Sequence, residues 1–129
     1  MSEYPKELRY TTSHVWAKVD LKKRQARIGV TEEMTLRLRE ILSIDLPMIG
    51  DELEMDAPCL HIHRANSVFN LPSPLTGRIL EINRDVLDKP SLLFIEPYRY
   101  WLFDMEYDEL DELDMLMNVN QYLSYLDTL

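Results

Sequence analysis

The chain has a single cysteine, Cys59, only three glycines, and no apolar run approaching the ~20 residues that a membrane-crossing helix needs. One cysteine excludes an internal disulfide and fits a reducing compartment. With so few glycines and seven prolines, no flexible or low-complexity linker can be drawn. Bases are scarce as well: 14 Lys and Arg face 23 Asp and Glu, for a formal net charge of −9 and a pI near 4.7. Nucleic-acid binding takes its affinity from bases that neutralise phosphates, so this balance speaks against it, and against anionic membrane surfaces for the same reason. The opening Met1 to Leu8 has no apolar core of the kind a secretory leader carries, so a cytoplasmic protein is expected. Gly-rich phosphate loops, nucleophile elbows and metalloprotease helices are all missing, which leaves an enzymatic role without support.

What is present suits one compact domain. The 129 residues are 46% hydrophobic and 29% charged, a length and composition that build a core without metals or disulfides. Val15–Asp20 alternates as a strand, Asp20 to Gln25 supplies a turn, and Ala26–Val30 returns. Thr31 followed by Glu32 and Glu33 is a helix start, and Met34, Leu38 and Ile41 then share one helical face. The period next drops to two, with Leu42, Ile44 and Leu46 alternating up to Pro47. Further strands are expected at Leu53, across Leu60 and Ile62, at Val68–Leu71 after the turn Arg64–Ser67, at Arg78–Asn83 and at Trp101–Met105.

From Asp108 the spacing predicts a helix through Leu110, Leu113, Leu116 and Met117, with Asp108 as its cap. Asn118 with Gln121 is a capping box for a second helix ending at Leu126. Eight acids and no bases lie between Asp104 and Leu129, read as a solvated face. The fold class expected is mainly β with helices: a flattened β-barrel or sandwich with one early and two C-terminal helices.

Several strings carry a family resemblance. Tyr10-Thr11-Thr12-Ser13-His14-Val15-Trp16, Ile28-Gly29-Val30-Thr31, Asp45-Leu46-Pro47 with Gly50-Asp51, Ser73-Pro74-Leu75-Thr76-Gly77, Glu96-Pro97-Tyr98 with Trp101, and Leu110-Asp111-Glu112-Leu113-Asp114 with Tyr122 follow one another in order. Together they resemble the H protein of the glycine cleavage system. The resemblance implies a biotinyl/lipoyl-type hybrid fold over residues 10–129, with residues 1–9 as a lead. It also implies a lysine on a hairpin tip, joined by an amide to lipoic acid. That arm passes an aminomethyl group among three protein partners: the decarboxylase, the aminomethyltransferase and dihydrolipoyl dehydrogenase.

Counting back without gaps from Ser73-Pro74 places Asn66 where the family has its lysine and His63 where it has a glutamate. The amide nitrogen of Asn66 is delocalised into its carbonyl and is not a nucleophile. A register shifted by two offers Arg64, whose guanidinium stays protonated to about pH 12 or above. The lysines are Lys6, Lys18, Lys22, Lys23 and Lys89, none of them in this hairpin. No cofactor is therefore expected, and the chain reads as a paralogue that binds the usual components, a lipoylating enzyme or a dedicated partner as scaffold or regulator. The alternative is a carrier that uses Lys89 or holds its group without a covalent bond. The loop after Tyr98 departs too: Arg99 and Tyr100 replace glycines and Phe94 an asparagine, which predicts a reshaped loop beside the cleft for the arm.

Cys59, His61 and His63 alternate on one strand, an arrangement that invites zinc. Residues four apart on a strand lie ~13 Å apart, too far for Cys59 and His63 to share an ion with bonds of ~2.0–2.3 Å. That leaves His61 with His63 as a candidate pair, needing His14 or an acid from elsewhere. His14 and Trp16 are expected to pack and hydrogen-bond as a pair.

Overall fold

A computed structural model describes residues 4–129. Its framework is two antiparallel sheets. The larger is built from β1 (Arg9–Tyr10), β2 (Val15–Asp20), β3 (Gln25–Val30), β5 (Glu52–Leu53), β8 (Gly77–Ile82) and β9 (Phe103–Tyr107), in the order β1-β2-β3-β9-β8-β5. The smaller holds β4 (Ser43–Asp45), β6 (Pro58–His63) and β7 (Val68–Pro72), in the order β4-β6-β7. Neither order returns to its starting strand, so the architecture is a sandwich of open sheets rather than a closed barrel.

Alternation sets which side chains meet. Val15 and Ala17 on β2, Ala26, Ile28 and Val30 on β3, and Phe103, Met105 and Tyr107 on β9 turn inward, where they join Leu60 and Ile62 of β6 and Leu71 of β7 in the main core. The residues between them turn outward. One part of that outer face is covered: Trp16 packs with Leu8, Tyr10, Val119 and Tyr122 in a second, largely aromatic cluster. Trp16 lies directly across the ladder from Gly29, and a Cβ at Gly29 would run into the indole ring. The close approach of the ring requires the glycine there. Leu8 is buried and Tyr4 packs on this cluster, so the described part of the expected lead, from Tyr4 on, is anchored to the domain.

The helices differ from expectation in instructive ways. α1 (Glu32–Leu38) is capped by Thr31, whose Oγ1 accepts from the Met34 N–H at 3.4 Å. It stops one turn before Ile41 because Arg39 takes a left-handed φ of 64°. Leu42, expected on the core face of the next strand, is 63% exposed, and only Ile44 of β4 is buried there.

Two short helices, α2 (Arg84–Asp88) and α3 (Leu92–Ile95), occupy the stretch between the expected strands Arg78–Asn83 and Trp101–Met105, beyond the one early and two C-terminal helices expected. α2 starts at Asn83, whose side chain accepts from the Asp85 N–H at 3.1 Å. The segment Leu110–Met115 is a 3₁₀ helix, not an α-helix, and its cap position is Glu109 rather than Asp108. Leu110, Leu113 and Leu116 are three apart, the repeat of a 3₁₀ helix, yet Leu110 is 51% exposed while the other two are buried. The last helix, α4 (Val119–Leu126), has the expected capping box between Asn118 and Gln121.

The acidic C-terminal stretch is not simply solvated. Asp104 pairs with Arg27, Glu106 with Arg78, and Glu112 takes both the N–H and the hydroxyl of Thr76 at 2.8 and 2.6 Å. That last pair ties the 3₁₀ helix to the Ser73–Gly77 loop.

Candidate functional site

The β6–β7 hairpin forms because Leu60 and Ile62 face the core on one strand and Leu71 on the other, with β4 pairing along the outer edge of β6. The turn is closed by the Arg64 N–H donating to the Ser67 carbonyl at 2.8 Å. It is steadied from outside by the Ala65 N–H, which donates to Glu40 Oε1 at 3.2 Å. Ala65, Asn66 and Ser67 are exposed. Asn66 does not use the left-handed freedom for which asparagine is often selected in turns; those angles fall on His14, Arg24, Arg39, Asp56 and Gly50 instead.

Chemically, the tip offers an amide, a guanidinium and a hydroxyl. Arg64 Nη1 donates to Ser67 Oγ at 3.3 Å, so the hydroxyl faces a cation and no base that would take its proton. A lipoyl group joined through an amide needs a primary amine, and Arg64–Ser67 does not supply one; these residues do not fit that group. Lys89 sits at the C-cap of α2, on a separate element.

His61 and His63 share a face of the smaller sheet, but each has its own partner. His61 Nδ1 meets Asn70 Oδ1 at 2.5 Å, and His63 Nε2 meets Asp45 Oδ2 at 2.6 Å. The pairing register shifts between Pro58 and Leu60, which takes Cys59 out of regular alternation. Burial pushes the Cys59 thiol up to about 12, away from the thiolate that a metal needs. Among the described residues, no group of three or more His, Cys, Asp and Glu is placed to hold an ion.

Beside the hairpin lies a cleft of about 340 Å3, walled by Ser13 and His14, by Met34 and Arg37 of α1, and by Phe69 and Asn70 of β7, with the end of α4 closing it. His14 is buried, and its Nδ1 lies 2.8 Å from the Tyr122 hydroxyl, which in turn lies 2.8 Å from Thr31 Oγ1. This strut joins α4, the turn before β2 and the cap of α1. Burial, and after it the nearby Arg37 charge, lower the His14 pKa, so the ring is neutral near pH 7. The Tyr122 phenol is raised by burial and stays protonated.

The expected His14–Trp16 hydrogen-bonded pair does not form. Trp16 Nε1 donates to the Pro97 carbonyl at 3.1 Å, while His14 belongs to the strut. None of residues 96–101 lines this cleft. That loop turns toward α1, where the Glu32 N–H donates to the Tyr98 hydroxyl at 3.1 Å. Sequence reasoning missed the strut and the Glu40 brace. A capping Thr31 and a late Tyr122 were visible singly, but nothing in their spacing linked residues 91 positions apart.

Comparison with known proteins places this geometry. Residues 8–129 match the family model described as glycine cleavage H-protein. The glycine cleavage system H protein of Bacillus licheniformis is 34% identical over 119 residues, covering 92% of each chain. That of Photorhabdus laumondii is 31% identical over 128 residues, covering 98% of each. The crystal structure of a glycine cleavage system H protein from Mycobacterium marinum has the same fold, with a TM-score of 0.84 at 22% identity, covering 96% of this chain and 99% of that one.

Proposed function

Because the chain belongs to the glycine cleavage H-protein family, we propose that it is a member that carries no lipoyl group and serves as a non-enzymatic interaction, scaffold or regulatory module. The observation that supports this reading most directly is chemical. The hairpin tip Arg64–Ser67, where gap-free counting puts Asn66 at the family's lysine and His63 at its glutamate, holds no primary amine. The flanking His61 and His63, tied to Asn70 and Asp45, give the tip a polar surface unlike the acidic one a lipoylating enzyme meets in the family.

Its partners on this reading are proteins: the decarboxylase, the aminomethyltransferase, dihydrolipoyl dehydrogenase or a lipoylating enzyme, met in the cytoplasm. The working unit is residues 10–129. Among the described residues, no helix is long and apolar enough to cross a membrane, which is consistent with that setting.

A second reading draws on the cleft of about 340 Å3, which has room for a small group held without a covalent bond. Reconstitution separates the two. With the lipoylating enzyme, lipoate and the three partner components, the chain should support no glycine-dependent aminomethyl transfer. Turnover by the unaltered chain would overturn the first reading. Transfer by an Asn66→Lys variant would show that the rest of the surface still engages those components; an inert, correctly folded variant that does take up lipoate would point to changed partners.

A further inference from the structure

The β2–β3 hairpin carries a charge opposite to the rest of the molecule. Between Lys18 and Arg27 lie Lys18, Lys22, Lys23, Arg24 and Arg27 against a single acid, Asp20, in a chain of formal net charge −9. Asp20 is already engaged with backbone: its Oδ1 accepts from the N–H groups of Lys22 and Lys23, both at 3.1 Å, and so shapes the β2–β3 turn. Arg27 is neutralised by Asp104, to which Nε and Nη2 donate at 2.9 and 3.1 Å, and its guanidinium lies 4.3 Å from the centre of the Trp101 ring.

Lys18 stands directly across the ladder from Arg27, a like-charge placement that costs stability in an isolated sheet. Among the described residues, the ion pairs involve none of Lys18, Lys22 and Lys23. Lys18 and Lys22 line an open groove of about 520 Å3 that also takes in Leu21, Arg27 and the acids Asp20 and Asp104, both already engaged; Lys23 follows Lys22 at the turn. Leu21 is 61% exposed at the turn. The groove thus combines two ammonium groups outside any ion pair among the described residues with an exposed apolar side chain, Leu21.

We propose that this groove docks a short acidic segment of a protein partner, whose carboxylates meet Lys18 and Lys22 in the groove and Lys23 beside it while an apolar side chain covers Leu21. Charge complementarity carries the choice of occupant. A long polyanion is disfavoured because acids frame the patch: Arg24 Nη2 donates to the Asp108 carbonyl, which brings the exposed acids Asp108, Glu109 and Asp111 to the end of the hairpin. With screening over about 8–10 Å, a ligand confined to the patch escapes that repulsion and a duplex reaching past it does not. The surface lies on a different sheet from the Arg64–Ser67 tip and stands whether or not the chain carries a cofactor.

The test is fluorescence anisotropy on the full chain with a labelled peptide of alternating Glu-Glu-Leu repeats. Binding is expected at low ionic strength and should weaken as salt is raised. The triple variant Lys18→Glu/Lys22→Glu/Lys23→Glu should lose about tenfold or more in affinity, Leu21→Ser a smaller factor, and Arg99→Glu, on a separate loop, nothing. Unchanged circular dichroism of the triple variant would attribute its loss to the patch. Equal binding by the triple variant would overturn the proposal. So would tighter binding of a DNA duplex of matched charge, or sedimentation showing that the wild-type chain fills the groove with a second copy of itself.

Discussion

Two hairpins in this molecule are built by the same rule and end in opposite chemistry. β2–β3 and β6–β7 each bury alternate residues in one core, Val15, Ala17, Ala26 and Ile28 in the first, Leu60, Ile62 and Leu71 in the second. The first turns through Lys22 and Lys23, whose amines make no ion pair among the described residues; the second turns through Arg64–Ser67, which contains no amine. Alternation and a closed turn therefore make a protruding hairpin without deciding what it can react with. On the proposed reading, this family scaffold is kept intact without the amine that would carry a lipoyl group.

The comparison is broken most sharply by weighing the root of one hairpin against the tip of the other. Trp16→Ala removes the ring that seats on Gly29 and fills the aromatic cluster, and should cost about 3–5 kcal/mol. Asn66→Ala at the exposed tip should stay within about 0.5 kcal/mol. Urea titrations of both variants check the contrast; a large loss at Asn66 would give that residue a structural role it lacks here.

Tyr122→Phe comes next. It leaves His14 Nδ1 and Thr31 Oγ1 buried without their shared partner and should cost about 1–3 kcal/mol in the same titration. A milder effect follows from acidification. The His14 pKa is lowered in the folded state, so below the unfolded value of ~6.5 the unfolded chain binds a proton that the folded chain refuses. Stability should be full above that pH and fall as pH drops from it toward the folded pKa. His14→Gln should flatten this part of the profile, measured by denaturation at a series of pH values.

Smallest of all, Glu40→Ala removes the brace on the Ala65 N–H and should cost about 0.5 kcal/mol, with faster amide exchange confined to the tip. Exchange spreading into β6 would mean that the turn depends on that brace more than its geometry indicates.

Much of the fold was legible because it rests on short-range patterns. The alternation of Val15–Asp20, the Thr31 cap, and the Asn118–Gln121 box each satisfy their groups within a few residues. What escaped depends on distance or on weak local signals. α2 was announced only by the Asn83 cap before a five-residue helix, too short to show a period. The end of α1 turns on a left-handed arginine rather than a glycine, so no residue type marked it.

At the candidate site, that Arg64–Ser67 contains no amine could be read directly, since it is a matter of residue identity. The cleft and the His14–Tyr122–Thr31 strut could not, because they join residues from opposite ends of the chain. The anchoring of the 96–101 loop escaped for the same reason: Tyr98 takes its hydrogen bond from the distant start of α1.

The most direct measurement is the intact mass of the chain, purified from cells that contain an active lipoylating enzyme and ample lipoate, together with the tryptic fragment Ala65–Arg78, which carries Asn66. The account predicts an unmodified 15.3 kDa polypeptide and an unmodified fragment. A lipoyl adduct on the intact chain, at the tip or at any lysine, would contradict it.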